Sequence, residues 1–252
     1  MFALIFILVM IAAALFGMMG LGSGIIYVPL LSWWGLDFAT AAIPLGLVLS
    51  VATGAGTALT YMKGRLVHVK TALGTSAAAI LGAPVGVKAL HVVPISFVKM
   101  ILAAAAFYVA LRALKSGEPD RLTDRSYLLP AGAIFLMGFI MGFFSALVGV
   151  GGGFLLVPLL LIRGYPAKEA VGTTSLVVTI NTFSAFLFHL PHTSFSLNVA
   201  IILIVAALFG SMLGGFYASR HANPKAIRIL IGIIIMFIAI KVGGEGFLEL
   251  LH

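Results

Sequence analysis

The sequence predicts an all-α polytopic membrane protein made of two inverted repeats of about five helical segments each, with short broken helices after glycine-rich breaks. Three observations predict it: an apolar composition with little charge, a gapless internal repeat, and opposite charge in matched loops. The 252 residues are 62% hydrophobic and 9% charged, with a mean hydropathy of +1.21. A soluble domain carries about 25% charged residues, so a water-soluble fold of this composition could not cover its surface. Disorder requires low hydrophobicity and is excluded on the same ground. No polar stretch exceeds about a dozen residues, which leaves no room for a large extramembrane domain.

Each element follows from where the apolar runs break. A spanning helix needs about 20 mostly apolar residues. No charge occurs from Met1 to Leu36, Phe38 to Met62, Ser126 to Ile162, or Ala170 to Ser219. Cutting the chain at Gly, Pro and charge clusters predicts helical segments at 2–19, 24–34, 39–62, 71–90, 95–113, 127–148, 153–163, 167–190, 196–219 and 225–242. The first lacks a basic leader and reads as a spanning helix rather than a cleaved signal peptide. Segments 24–34 and 153–163 are too short to span as straight helices, so they read as short or re-entrant arms.

Self-comparison supplies the repeat. Gly20-Leu-Gly-Ser-Gly-Ile-Ile-Tyr-Val-Pro-Leu-Leu31 matches Gly149-Val-Gly-Gly-Gly-Phe-Leu-Leu-Val-Pro-Leu-Leu160 at seven of twelve positions, with an offset of 129. The same gapless offset pairs Gly35 with Gly164, Thr53 with Thr182, Gly86 with Gly215 and Lys99 with Arg228. The organisation expected is a first repeat over 1–114, a cytoplasmic connector over 115–126, and a second, inverted repeat over 127–252.

Charge decides the inversion. Loop 62–71 holds Lys63, Arg65 and Lys70, and its partner 191–200 holds no Lys or Arg; loop 32–39 holds no cation, and its partner contains Arg163 and Lys168. Parallel halves would match in charge. Placing 62–71, 112–125, 163–168 and 219–228 in the cytoplasm puts twelve cations inside and only Lys88, Lys99 and Lys241 outside, as the positive-inside rule requires. Both termini then face outward. The net charge of +8 is accounted for by these loops, and no feature points to nucleic acid.

The interior offers few reactive groups. Asp37, Glu118, Asp120, Asp124, Glu169, Glu245 and Glu249 lie near segment ends or in loops, which argues against a carboxylate cation site. Zero cysteines exclude disulfides and thiolate sites. Leu21 removes the glycine that a serine-protease signature would need before Gly22-Ser23-Gly24, and the dinucleotide pattern fails at Ile25 and Phe154. No catalytic residue, metal site or cofactor is expected. His189 and His192 form an outward pair that suits pH sensing or loop packing.

Neutral polar groups remain. Ser50, Thr53, Thr57 and Thr60 lie in one half, and Thr173, Thr174, Ser175, Thr179, Asn181 and Thr182 in the other. Such hydroxyls can replace water around a substrate, or bond their own i−4 carbonyls. The glycine breaks say more. Gly20, Gly22 and Gly24, with Ser23 among them, precede a short helix containing Pro29; Gly149, Gly151, Gly152 and Gly153 precede one containing Pro158. A helix beginning at depth presents unpaired N–H groups and a positive dipole end, which attract an anion without a formal cation. Discontinuous helices at matched places point to a midplane site. Gly22 and Gly151 should then lie on opposite walls of one polar cavity, within reach of Ser175. The pairs Gly82/Gly86, Gly138/Gly142 and Gly210/Gly214 read instead as close helix packing.

The two Gly-x-Gly-x-Gly-x3-Val-Pro-Leu-Leu patterns, followed by Ala170-Val-Gly-Thr-Thr-Ser-Leu176, resemble the TauE/SafE family, also called the sulfite exporter or TSUP family. The first half departs from the Gly-Thr-Ser pattern at Ile43-Pro44-Leu45-Gly46. The resemblance implies a secondary transporter, an exporter, of a small anion such as sulfite or an organosulfonate, in a prokaryotic cytoplasmic membrane. The expected site comprises Gly20, Gly22, Ser23, Gly24, Gly149, Gly151, Gly152 and Gly153 for backbone contacts. Ser50, Thr53, Thr173, Thr174, Ser175 and Asn181 would supply side-chain donors. The partners are the small anionic substrate and the lipid bilayer; the sequence leaves oligomeric state open. A passive anion channel and a non-transporting assembly subunit are the alternatives.

Overall fold

The computed structural model describes residues 2–115, 131–153, 156–157, 160, 165–220 and 224–251. The expected connector 115–126 lies outside the described residues apart from Lys115. The described helices are α1 (Phe2–Gly17), α2 (Gly24–Trp33), α3 (Ile43–Lys63), α4 (Val69–Val92), α5 (Ile95–Lys115), α6 (Ala131–Val148), α7 (Ala167–His189), α8 (Leu197–Arg220) and α9 (Pro224–Leu251). Within the expected segment 153–163, Gly153, Leu156, Val157 and Leu160 are helical. The protein is an all-α multi-pass membrane protein. Phe38–Lys63, Val69–Val92, Lys168–His192 and Leu197–Ala218 are each long and apolar enough to cross a bilayer. Large apolar side chains cover the outside, among them Phe209, Phe237 and Ile240, each at least 60% exposed. Such a surface suits lipid and would aggregate in water.

Several boundaries differ from the sequence expectation. Helix α1 ends at Gly17 rather than at residue 19. The chain passes through Gly20 and Gly22, both at positive φ, into α2, which packs on α3. The last helix runs to Leu251 rather than 242. Gly243 and Gly246 do not break it; a Cβ on them would lie 3.2 Å from Ala103 Cβ and 3.1 Å from Lys99 Cβ, so they let α9 approach α5. The start of α3 also carries a local device. Phe38–Ala42 forms a π turn capped by Asp37, whose Oδ1 accepts from Thr40 N at 2.8 Å and Thr40 Oγ1 at 2.7 Å. Pro44 has no N–H for the Thr40 carbonyl, which instead accepts from Ser194 N at 2.9 Å.

Helix packing is built on small residues. A Cβ on Gly82, Gly86, Gly138 or Gly142 would lie 1.9–2.3 Å from a backbone oxygen across the α4–α6 seam. One on Gly210 or Gly214 would lie 2.3 Å from Met10 O or 2.0 Å from Ala14 O across the α1–α8 seam. The expected packing role of these three pairs is met. Residue numbers rise together along both seams. The offset of 129 carries α1 onto α6 and α4 onto α8, so the two seams are one contact made twice. Along the central seam the numbers run oppositely: Gly54 packs on Ser175 and Thr179 of α7, and Tyr61 packs on Gly172. The row α1–α8–α3–α7–α4–α6 forms the body, and α5 pairs with α9 beside it.

The loops sort by charge. One end gathers Trp33, Asp37, His91, Lys99, His192, Ser194, Lys241 and Glu249. They are joined by Thr40–Ser194 and Lys99–Glu249 bonds, a His91–His192 ring contact at 4.4 Å, and Lys241 over the Trp33 ring at 3.9 Å. The other end holds exposed Lys63, Arg65, Lys70 and Lys168. There His68 Nε2 meets Glu169 Oε2 at 2.6 Å and the His68 ring packs edge-on to Tyr165.

Candidate functional site at the glycine breaks

Both broken helices stop in the same way. Gly20 N donates to Phe16 O at 2.9 Å with φ +64°, and Gly149 N donates to Ser145 O at 2.9 Å with φ +77°. Both are left-handed ends that glycine adopts without strain. The two breaks then press together. A Cβ on Gly22 would lie 3.2 Å from Gly151 Cα. One on Gly24 would lie 1.9 Å from Gly149 O, and one on Gly153 would lie 2.7 Å from Gly20 O. These last two contacts are equivalent under the 129-residue offset. Residues 20–25 and 149–153 are all buried, so the breaks face protein, as unpaired backbone at depth must. Among the described residues no gap separates Gly22 from Gly151, however. Gly22 and Gly151 are in van der Waals contact, because neither carries a side chain to hold the backbones apart.

The polar inventory of this centre is uncharged. The N–H groups of residues 21–25 and 150–153 have no backbone acceptor among the described residues. Ser23, at the N-cap of α2, makes no side-chain cap bond. The hydroxyls of Ser50 and Thr174 are fully buried and without a hydrogen-bond partner among the described residues, and that of Ser23, equally buried, lies against the Tyr27 hydroxyl. Ser175 Oγ lies 2.8 Å from where a Gly20 Cβ would stand, while donating to Val171 O at 2.8 Å. Thr53 donates to Leu49 O at 2.9 Å and so accepts from the Tyr27 hydroxyl at 2.8 Å. Thr57, Thr60, Thr179 and Thr182 also bond their own i−4 carbonyls. Thr173 Oγ1 accepts from His68 N at 2.9 Å. Asn181 Nδ2 faces Met141 O at 3.4 Å and Gly151 O at 3.5 Å, and its oxygen has no partner among the described residues.

The structure therefore brings Gly20, Gly22, Gly24, Gly149, Gly151, Gly153, Ser175 and Asn181 together. Gly152 turns to Met141, 3.1 Å from its notional Cβ. Among the described residues no hydrogen bond ties Ser50 or Thr174 to either break. Sequence reasoning missed Tyr27, although a tyrosine four residues after Ser23 in an apolar segment is a visible signal. It also missed the buried hydroxyls of Ser76 and Ser145, unpartnered among the described residues, which no pattern marks. His189 is buried, with Nε2 donating to Ala146 O at 2.7 Å, so it ties α7 to the end of α6.

The fold and this paired break define a class: polytopic membrane proteins with duplicated glycine-broken helices. The sulfite exporter TauE/SafE family matches residues 5–242, and the chain belongs to that family. It is 25% identical over 97% of its length, and 98% of the relative's, to the probable membrane transporter protein YunE of Bacillus subtilis. It is 29% identical to the probable membrane transporter protein MJ0441 of Methanocaldococcus jannaschii, over 54% of this chain and 52% of that one. A third relative is the sulfite exporter TauE/SafE family protein 5 of Arabidopsis thaliana, 27% identical over 54% of this chain and 30% of that one. No solved structure matches. The family is one of membrane transporters.

Proposed function

We propose that the two halves form an inverted repeat around the paired breaks. On this reading the protein exports a small anion, such as sulfite or an organosulfonate, from a prokaryotic cell by alternating access. The opposite running of residue numbers along α3–α7 supports inversion. Export of sulfite follows the printed name of the Arabidopsis relative. The observation that carries the anion reading is the buried meeting of two breaks whose N–H groups lack acceptors among the described residues. Unpaired N–H groups at a helix start favour negative charge. Rocking of α1–α8–α3 against α7–α4–α6 about the central seam would part the breaks toward one side at a time.

Proteoliposomes loaded with sulfite test this. Saturable, gradient-coupled efflux is expected. Ohmic flux would make the protein a channel, and absence of flux would overturn the sulfite reading. Ser50→Ala and Thr174→Val remove buried hydroxyls that are unpartnered among the described residues, so folding is not weakened. If these hydroxyls bind the anion, sulfite affinity falls by about 1–3 kcal/mol.

A further inference from the structure

Resting on the anion reading, we infer that the site accepts an oxoacid as its protonated monoanion, hydrogensulfite rather than sulfite where that is the substrate, and that Asn181 recognises the remaining acid proton.

Two observations carry it. First, no Lys or Arg is buried among the described residues. The breaks are lined by Val28, Ile43, Met141, Val171 and Val178. Unpaired N–H groups and hydroxyls can offset one negative charge. The desolvation penalty grows with the square of the charge, so a dianion would cost about four times as much as a monoanion there. Second, the Asn181 carboxamide is fully buried against the second break, and its oxygen accepts nothing among the described residues. Rotating the amide would set that oxygen against the carbonyls of Met141 and Gly151, so the nitrogen belongs where it stands. The valence left to Asn181 is an acceptor. An acceptor repels a bare oxyanion and is satisfied by an O–H. A ligand that is negative on one side and carries a proton on another matches both the N–H groups and this oxygen.

The test is calorimetric titration of the purified full-length protein with sulfite from mildly acidic to alkaline pH. Methanesulfonate, a monoanion without an acid proton, serves as the comparator. Above the second dissociation of sulfurous acid, the apparent Kd for sulfite should rise about tenfold per pH unit while that for methanesulfonate stays flat. Asn181→Leu should weaken sulfite binding at acidic pH by about tenfold or more and leave methanesulfonate unchanged. Sulfite binding that is constant or tightens as pH rises overturns the inference, as does an equal loss for both ligands in Asn181→Leu. If that variant does not fold, the wild-type pH series decides alone. If neither ligand binds at any pH, the anion reading itself falls, an outcome distinct from pH-independent sulfite binding.

Discussion

Gly24→Ala is the sharpest perturbation of the paired breaks. Gly24 does not have a positive φ, so alanine can adopt its backbone and only packing is at stake. The added Cβ would lie 1.9 Å from Gly149 O, and real Cβ contacts are not shorter than 3.0 Å. The breaks must therefore part by about 1.1 Å. The obstacle is a backbone carbonyl at the end of α6, not the tip of a flexible side chain. Overpacking costs about 1–3 kcal/mol, and a rigid obstacle places this substitution at the upper end. For a chain of this length, about 1 kcal/mol shifts Tm by about 2–4 °C, so a fall of about 6–12 °C is expected. Thermal unfolding of the detergent-purified protein, followed by size-exclusion fluorescence, measures it. Gly244→Ala is the control: a Cβ there meets nothing within 4 Å, and Tm should hold or rise. If Gly24→Ala is as stable as the wild type, the breaks are not in contact, and the shared centre is lost with them.

Topology and pH dependence give two further expectations. Reporter fusions after residue 117 and after the C-terminus should land on opposite membrane sides; the same side for both would refute the inverted arrangement. The Asp37 carboxyl is held below the usual carboxylate range by the backbone N–H and hydroxyl of Thr40. Its folded pKa is lower than its unfolded one, so the stability it adds is present above the ordinary Asp range and lost as pH falls through the folded value. The Tm difference between wild type and Asp37→Asn should be largest at neutral pH and close on acidification; a difference that persists in acid would assign the effect of Asp37 to packing.

The sequence by itself determined the segments, the breaks and the sorting of charge, because hydropathy, Gly and Pro act locally and bilayer thickness sets a length. Even there it erred at Gly243 and Gly246, where glycine serves close approach to α5 rather than a stop. The tertiary structure alone decided how the polar groups are used. Ser175, Thr179 and Thr182 share a helix face in any reading, but only the packed chain shows their hydroxyls turned to their own carbonyls. Ser50 and Thr174 are left unpartnered among the described residues instead. Likewise Gly22 and Gly151, 129 residues apart, meet because two backbones without side chains can close to contact. That distance depends on every helix around them, and no local pattern encodes it.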